Sequence, residues 1–355
     1  MSATMGNDFK ILKESPNEIS VIFWDVNGTI TLPQGDVDDV IASKIIKLAD
    51  KGVYQAFITG RDRLWLQGFL VKPIKEICEA MKVNQEKVLK NMGFYPELGL
   101  VSLEPPSLTP VIFEGIEDHP LISSSLRERI ATLFWQEKSL REWKEGDAVP
   151  PRFYVSRDAN KKGFLFPIVP QEIDVYIKLP DFIWSNSKEL IGTAEVIREV
   201  DNRISKRRSN KINLAVKIIE GLLDYWDVKA VSVSPVSTAI NFAPIVDGVA
   251  LDKAWAVGRV LKQLGEQTGT PLVKIASRAV AIGDGKADFL FSQPIINGKQ
   301  VGINISFVFV GSEKNYQPTE EQKKNVVIKP ASEDLTGSRL TRKVLEFLEV
   351  KFYPL

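Results

Sequence analysis

The stretch Ser20–Ile30 constrains the chain most. Its β-prone run Val21–Trp24 stops at Asp25, and Val26, Asn27, Gly28 and Thr29 follow. One reading is a buried strand that delivers a carboxylate to its C-terminal tip, where open α/β sheets bind ligands. A carboxylate held there can act as a nucleophile toward a phosphoryl group. The other reading is a two-residue hairpin, because Asn-Gly between β-prone runs is its strongest short signal. Val21–Val26 would then pair with Thr29–Leu32, and Asp25 would be only a strand residue.

The residues that follow weigh against the hairpin. Within Asp36–Lys51, Val37, Val40, Ile41, Ile45, Leu48 and Ala49 recur at helical spacing, with Asp36 as candidate N-cap and Gly52 as stop. Tyr54–Ile58 reads as a second strand, ending in Thr59-Gly60-Arg61. Strand, helix, strand makes a βαβ unit, whose crossover gives parallel neighbours.

Leu64–Met81 predicts a helix kinked or restarted at Pro73, Asn84–Asn91 a shorter one, and Leu98–Leu103 a strand. Pro105, Pro106 and Pro110 mark the exit from a first domain. From 104 to 240 the texture is α+β. Leu126–Trp135 and Asn210–Asp224 read as helices. Arg152–Ser156 with Gly163–Ile168 reads as a hairpin, and Ile173–Lys178, Val228–Val233 and Ala239–Ala243 as strands. The basic run Lys206-Arg207-Arg208 with Lys211 reads either as a contact for an anionic ligand or, as short charge runs usually are, as a solvated helix start. Residues 241–355 return to α/β texture, with helices at Leu251–Leu264 and Ser338–Glu349 and strands at Ala279–Gly283, Ser306–Val310 and Val326–Lys329. The predicted architecture is α/β, a doubly wound parallel sheet built from 1–103 and 241–355, with an inserted α+β domain at 104–240.

Composition removes several function classes. Lys+Arg number 46 against Asp+Glu 45, so no broad nucleic-acid or anionic-membrane footprint is expected. Cys78 is the single cysteine and His119 the single histidine, which excludes a disulfide framework, a cysteine-rich zinc site and a multi-histidine metal centre. The polar stretch 1–18 lacks an apolar signal core, and no run approaches the ~18 apolar residues of a membrane span. The expectation is a soluble, cytoplasmic protein.

Four strand tips or helix starts carry residues suited to one chemistry. Asp25 ends the first strand, Thr59-Gly60 ends the second, Lys253 starts a late helix, and Asp284 and Asp288 follow the strand 279–283. In a doubly wound sheet these tips share one edge. They supply a nucleophile, a hydroxyl and amides for phosphate oxygens, a cation against phosphoryl charge, and carboxylates for a hard cation such as Mg²⁺. Each alone also serves as an ordinary cap or turn residue.

The set resembles the haloacid dehalogenase-like hydrolase superfamily. Asp25-Val26-Asn27-Gly28-Thr29 resembles its first motif, Ile58-Thr59-Gly60-Arg61 the second, Lys253 the third, and Gly283-Asp284-Gly285-Lys286-Ala287-Asp288 the fourth. An insert between the second and third motifs is similar to the sugar-phosphatase-like branch, whose α/β cap covers the site; Phe242–Gly258 is particularly similar to that branch. The resemblance implies an Mg²⁺-dependent phosphatase acting on a small phosphorylated metabolite, a sugar phosphate. Asp25 would form a phosphoaspartyl intermediate, and Thr59, Gly60 and Arg61 with Lys253 would hold the phosphoryl group. Asp25, the Asn27 carbonyl, Asp284 and Asp288 would hold the metal.

One position departs from the pattern. The family's phosphatases place a general acid–base aspartate where this chain has Asn27. An amide exchanges no proton at neutral pH, so that role falls away, whereas metal ligation by the backbone does not. Two expectations stand side by side: a phosphatase, favoured by Asp25, Thr59, Lys253, Asp284 and Asp288, and a phospho-ligand or protein-binding homologue, favoured by Asn27. A dehydrogenase is not expected, since no Gly-x-Gly-x-x-Gly turn follows the first strand.

Overall fold

The structure, a computed structural model, describes residues 19–32, 36–61, 63–114, 116, 119, 152–156, 174–178, 192–196, 216–217, 219–221, 223–235, 239–313, 316–328 and 335–352. The described residues fall into two compact units, divided between Ile112 and Phe113 and again between Leu251 and Asp252.

The first unit opens with β1 (Val21–Trp24), buried along its whole length as a central strand covered on both faces must be. Helix α1 (Asp39–Asp50) turns Ile41, Ile45, Leu48 and Ala49 inward. Its N-cap is Asp38 rather than Asp36: the Asp38 carboxylate accepts from the Val40 and Ile41 amides, while the Asp36 carbonyl accepts from Leu32 ahead of the helix. Strand β2 (Tyr54–Ile58) pairs parallel with β1, Trp24 beside Phe57. A single helical turn α2 (Arg63–Leu66) widens into a π-helical stretch, Gln67–Val71, before α3 (Lys72–Met81). Pro73 has no N–H to give the Phe69 carbonyl, and the widened turn absorbs the missing bond.

Helix α4 (Gln85–Lys90) is capped by the Asn84 side chain. Strand β3 (Met92–Tyr95) joins β2 in parallel, and β4 (Val101–Glu104) and β5 (Thr109–Ile112) extend the sheet antiparallel. Pro105 and Pro106 therefore sit in a hairpin turn of this sheet, where they were read as its exit.

In the second unit, β6 (Arg152–Ser156) pairs parallel with β7 (Asp174–Lys178), and β7 antiparallel with β8 (Gly192–Val196). Strands β9 (Val231–Pro235) and β11 (Val249–Ala250) both pair antiparallel with β10 (Ala239–Val246), which also takes β8. The described residues among 216–225 are helical. The expected helix 126–135, the strand 163–168 and the basic run 206–211 lie outside the described residues.

The chain returns to the first unit with α5 (Lys253–Thr268), α6 (Leu272–Ala276) and β12 (Ala279–Gly283). A small hairpin follows, β13 (Ile295–Ile296) with β14 (Lys299–Gln300), then β15 (Ser306–Phe309), a short α7 (Glu320–Lys323), β16 (Val326–Ile328) and the closing α8 (Ser338–Phe352). The eight-stranded sheet has the order β16-β15-β12-β1-β2-β3-β4-β5. From β16 to β3 every pairing is parallel, so the hairpin reading of 21–32 fails: both edges of β1 are occupied.

Val21 and Phe23 join a core with Ala256, Val257, Val260 and Leu261 of α5. By strand alternation Ile22 and Trp24 face the other side, where the Trp24 indole donates to Gln55 Oε1 at 2.8 Å. The first crossovers carry the chain one way from β1, and the late strands β12, β15 and β16 run the other way. The order reverses between β1 and β12, the switch point outside whose carboxyl ends such sheets bind ligands. Among the described residues no helix is long and apolar enough to cross a membrane.

Candidate active site

Asp25 leaves β1 at this switch point, its amide bonded to the Ile282 carbonyl at 2.9 Å, and is only 7% exposed. The turn that follows is closed by Ile30 N on the Val26 carbonyl, 3.1 Å, and Gly28 N on the Thr31 hydroxyl, 2.9 Å. Gly28 has φ +77°, and a Cβ there would lie 2.3 Å from Asp284 Oδ2. A residue with a side chain fits neither the turn nor the approach of the β12 loop.

Lys253 is the first residue of α5, capped by Asp252, whose carboxylate accepts from the Ala254 and Trp255 amides. A cation at a helix N-terminus opposes the macrodipole, and a buried ammonium needs partners. Lys253 is 8% exposed; its Nζ donates to Asp25 Oδ1 at 2.6 Å and to Asp288 Oδ1, and lies 4.9 Å from the Phe291 ring centroid. The other oxygen of Asp288 accepts from the Gly285 amide at 2.6 Å. Both Asp288 oxygens are thus engaged. Thr29, fully buried, has its hydroxyl 3.3 Å from Asp25 Oδ2 and 3.4 Å from Asp284 Oδ1.

Carboxylate oxygens of Asp25, Asp284 and Asp288 lie within 4.8 Å of one another. Three carboxylates against one ammonium leave two negative charges uncompensated. Burial, then the neighbouring Asp288, push the Asp25 carboxyl up to about 6 against the pull of Lys253. Burial, then Asp25 and Asp288, raise Asp284 well above the usual range. Burial works against the Lys253 ammonium, but Asp25 and Asp288 together raise it. A divalent cation suits this set: it takes oxygen ligands, often one or two carboxylates, and cancels the excess charge.

Asp25, Lys253, Asp284 and Asp288 are therefore brought together. Thr59 stands at the end of the neighbouring β2, buried, with its hydroxyl oxygen accepting from the Arg61 amide at 3.2 Å; it and Gly60 lie on the same sheet edge, one strand over from Asp25. The Arg61 guanidinium lies 5.5 Å from the Trp65 ring centroid. Asn27 is half-buried in the turn after Asp25.

Two features escaped the sequence. Thr29 bridges two carboxylates, a role that its place in the first motif does not signal. The loop Glu97–Gly99 was also missed. Its Glu97 and Leu98 amides donate to the Arg61 and Thr59 carbonyls at 3.0 and 2.9 Å, with both residues at φ 55°. Two successive side-chain-bearing residues in the left-handed region store strain of about 1–3 kcal/mol each. The Arg259 guanidinium holds them by donating to the Gly99 carbonyl. Only Gly99 hints at such a loop in the sequence.

No family model matches the sequence, and no curated protein does. Solved structures do align. The C-terminal domain of Candida albicans trehalose-6-phosphate phosphatase matches 96% of this chain and 96% of its own, at 15% identity and TM-score 0.55. The ATP-bound IMP-nucleotidase of Plasmodium falciparum matches 98% of this chain and 64% of its own, at 12% identity and TM-score 0.53. A haloacid dehalogenase-like hydrolase from Bacteroides thetaiotaomicron matches 93% and 100%, at 12% identity and TM-score 0.49. At these identities the likeness to the first two is one of fold.

Proposed function

We propose that this chain, which has the fold of the haloacid dehalogenase-like superfamily, is a phosphatase for a small phosphorylated metabolite, working through a phosphoaspartyl intermediate on Asp25. The observation that carries this is the buried Asp25 carboxylate at the sheet's switch point, held by Lys253 at 2.6 Å beside Asp284. An ion-paired structural aspartate has no need of a second and third carboxylate beside it.

In this reading Lys253 keeps Asp25 ionised and then faces the charge that builds on the phosphoryl oxygens. The Thr59 hydroxyl and Gly60 amide receive the other phosphoryl oxygens, and Arg61 supplies a further cation at the mouth. Asp25, Asp284 and the Asn27 carbonyl would hold Mg²⁺, with Asp288, both of whose oxygens are engaged, acting on Lys253 or through water. When bound, the cation offsets phosphoryl charge. The substrate is proposed to be a sugar phosphate, a class supported by the likeness to a trehalose-6-phosphate phosphatase.

The test is a panel of phosphate esters assayed for phosphate release with Mg²⁺ and with chelator. Release by the wild type and its loss in a folded Asp25→Asn variant support the reading; turnover within severalfold of wild type in that variant would sink it. Asn27 favours a second reading, a phospho-ligand or protein-binding homologue. Ligand-dependent stabilisation without turnover on any ester would select it.

A further inference from the structure

We infer that the start of α8, from Gly337 to Arg342, is the positioning element of the cation site: it sets the spacing of the Asp25 and Asp284 carboxylates, and with it the affinity for Mg²⁺, while supplying no ligand itself. The inference rests on the reading of Asp25 and Asp284 as cation ligands.

Three contacts reach the site from this helix. The first meets the turn after Asp25. Gly337 has φ +58°, and a Cβ there would lie 2.8 Å from the Gly28 carbonyl oxygen. Gly28 has little room to give way, because its own Cβ position is 2.3 Å from Asp284 Oδ2. The next residue, Thr29, sets its hydroxyl 3.3 Å from Asp25 Oδ2 and 3.4 Å from Asp284 Oδ1. A push at position 337 is thus passed to the residue that lies between the two carboxylates.

The second contact meets Asp284 from its backbone. The Gly337 amide donates to the Val310 carbonyl at 2.6 Å, and the Val310 amide to the Gly283 carbonyl at 2.9 Å. Gly311 follows, so close that a Cβ there would lie 1.8 Å from the Asp284 carbonyl oxygen. The end of β15 therefore grips the loop that carries Asp284, and α8 starts from that grip. The third contact is Arg342, whose Nε and Nη2 donate to Asp38 Oδ2 at 2.7 and 2.6 Å. Asp38 is fully buried; its other oxygen caps α1, and its amide bonds the Ile30 carbonyl at 3.0 Å. One helix start thus holds the loop leaving Asp25 at both ends.

These contacts bear on the ion more than on the fold. Mg²⁺ demands near-ideal octahedral geometry at about 2.0–2.1 Å, so a small displacement of its carboxylates weakens binding. The helix itself is anchored further along, by Leu340, Val344, Leu345 and Leu348, each 1% exposed or less. Groups that orient metal ligands are typically worth about 10–100-fold in affinity.

The full chain, stripped with chelator and checked for folding by its melting temperature, is titrated with Mg²⁺ in a calorimeter. Gly337→Ala and Arg342→Ala should each weaken binding about tenfold or more. Arg342→Lys, a milder change that keeps the charge but not the paired donors, should weaken it by less. Leu348→Ala is the control: it opens a cavity in the same helix roughly 16 Å beyond Gly337, and should lower the melting temperature while leaving Mg²⁺ affinity as in wild type. Wild-type affinity in a folded Gly337→Ala or Arg342→Ala would overturn the inference, as would an equal loss in Leu348→Ala; if neither of the first two folds, wild-type affinity in Arg342→Lys would do so. In each case Asp284→Ala must lose the binding. If it binds as wild type does, or wild type binds no Mg²⁺, the cation reading falls and this inference with it.

Discussion

Lys253 and Asp25, 228 residues apart, meet at 2.6 Å with both side chains buried. The pair ties the first strand of the sheet to the helix that begins where the chain re-enters the unit. It is completed by Asp288, which accepts from the same ammonium. Removing the cation leaves its partners buried with uncompensated charge, a change that typically costs about 3–5 kcal/mol. Lys253→Met, similar in bulk, is expected to lower the melting temperature and reduce turnover about 10²–10³-fold, as losing one donor to a developing anion does. Mg²⁺ should return part of the stability and none of the turnover. A variant as stable as wild type in chelator would show that the carboxylates do not depend on Lys253.

The carboxylate cluster sets the pH response. A free aspartate titrates near 3.9, and Asp25 is pushed up to about 6. Between those values the folded chain holds a proton that the unfolded chain has lost. Without a divalent cation, stability from this group therefore falls as pH rises from about 3.9 through about 6, by roughly 3 kcal/mol, and is level beyond. The raised Asp284 extends the fall upward. A cation cancels the repulsion, so the rise in melting temperature on adding Mg²⁺ should grow across that window, and Asp284→Ala should remove most of it. A rise independent of pH, or undiminished in Asp284→Ala, would place the cation elsewhere.

The same dipeptide shows how far the sequence could be read. Asn27-Gly28 carries the hairpin signal but is not a hairpin: only Gly28 has positive φ, and β1 already has two parallel partners. Asn297-Gly298, which went unread, is one, with both residues at positive φ between β13 and β14. The neighbours of β1 decided the first case, and a local pattern does not contain them. Strand β3 was missed because Gly93 breaks its apolar run. A Cβ there would lie 2.2 Å from the Tyr54 hydroxyl, so the glycine records a close approach that only the folded sheet reveals. The four motif positions were legible because each sits at a strand tip or helix start. Thr29 and the Glu97–Gly99 loop were not, since their roles arise from contacts across the sheet edge.

Arg259 tests that loop. Its guanidinium bonds the Gly99 carbonyl and lies 3.4 Å from the Ser102 hydroxyl. Arg259→Ala should let Glu97 and Leu98 relax from the left-handed region and release the carbonyls of Thr59 and Arg61. The expected outcome is a KM raised about tenfold, equivalent to one lost charged hydrogen bond, with kcat less affected. Arg259→Lys should restore little, since a lysine cannot reproduce the planar fork. An unchanged KM in Arg259→Ala would mean that the loop keeps its shape without the clamp.

Position 27 separates the phosphatase from the binding protein. General acid–base catalysis is worth about 10²–10⁴-fold. A site with nucleophile, cation and metal ligands but no acid should be slow, and slowest where the leaving group most needs a proton. Wild type is therefore expected to hydrolyse p-nitrophenyl phosphate or acetyl phosphate better, relative to the active family pattern, than sugar phosphates. Asn27→Asp is nearly isosteric and the position is half-buried in an existing turn, so the fold should tolerate it. It should raise turnover on sugar phosphates about tenfold or more, with a smaller gain on activated esters. The pH profile should also change, gaining a limb from the new carboxyl that wild type lacks. If the variant binds Mg²⁺ yet gains nothing on any ester, the missing acid is not what limits the site, and the binding-protein reading takes its place.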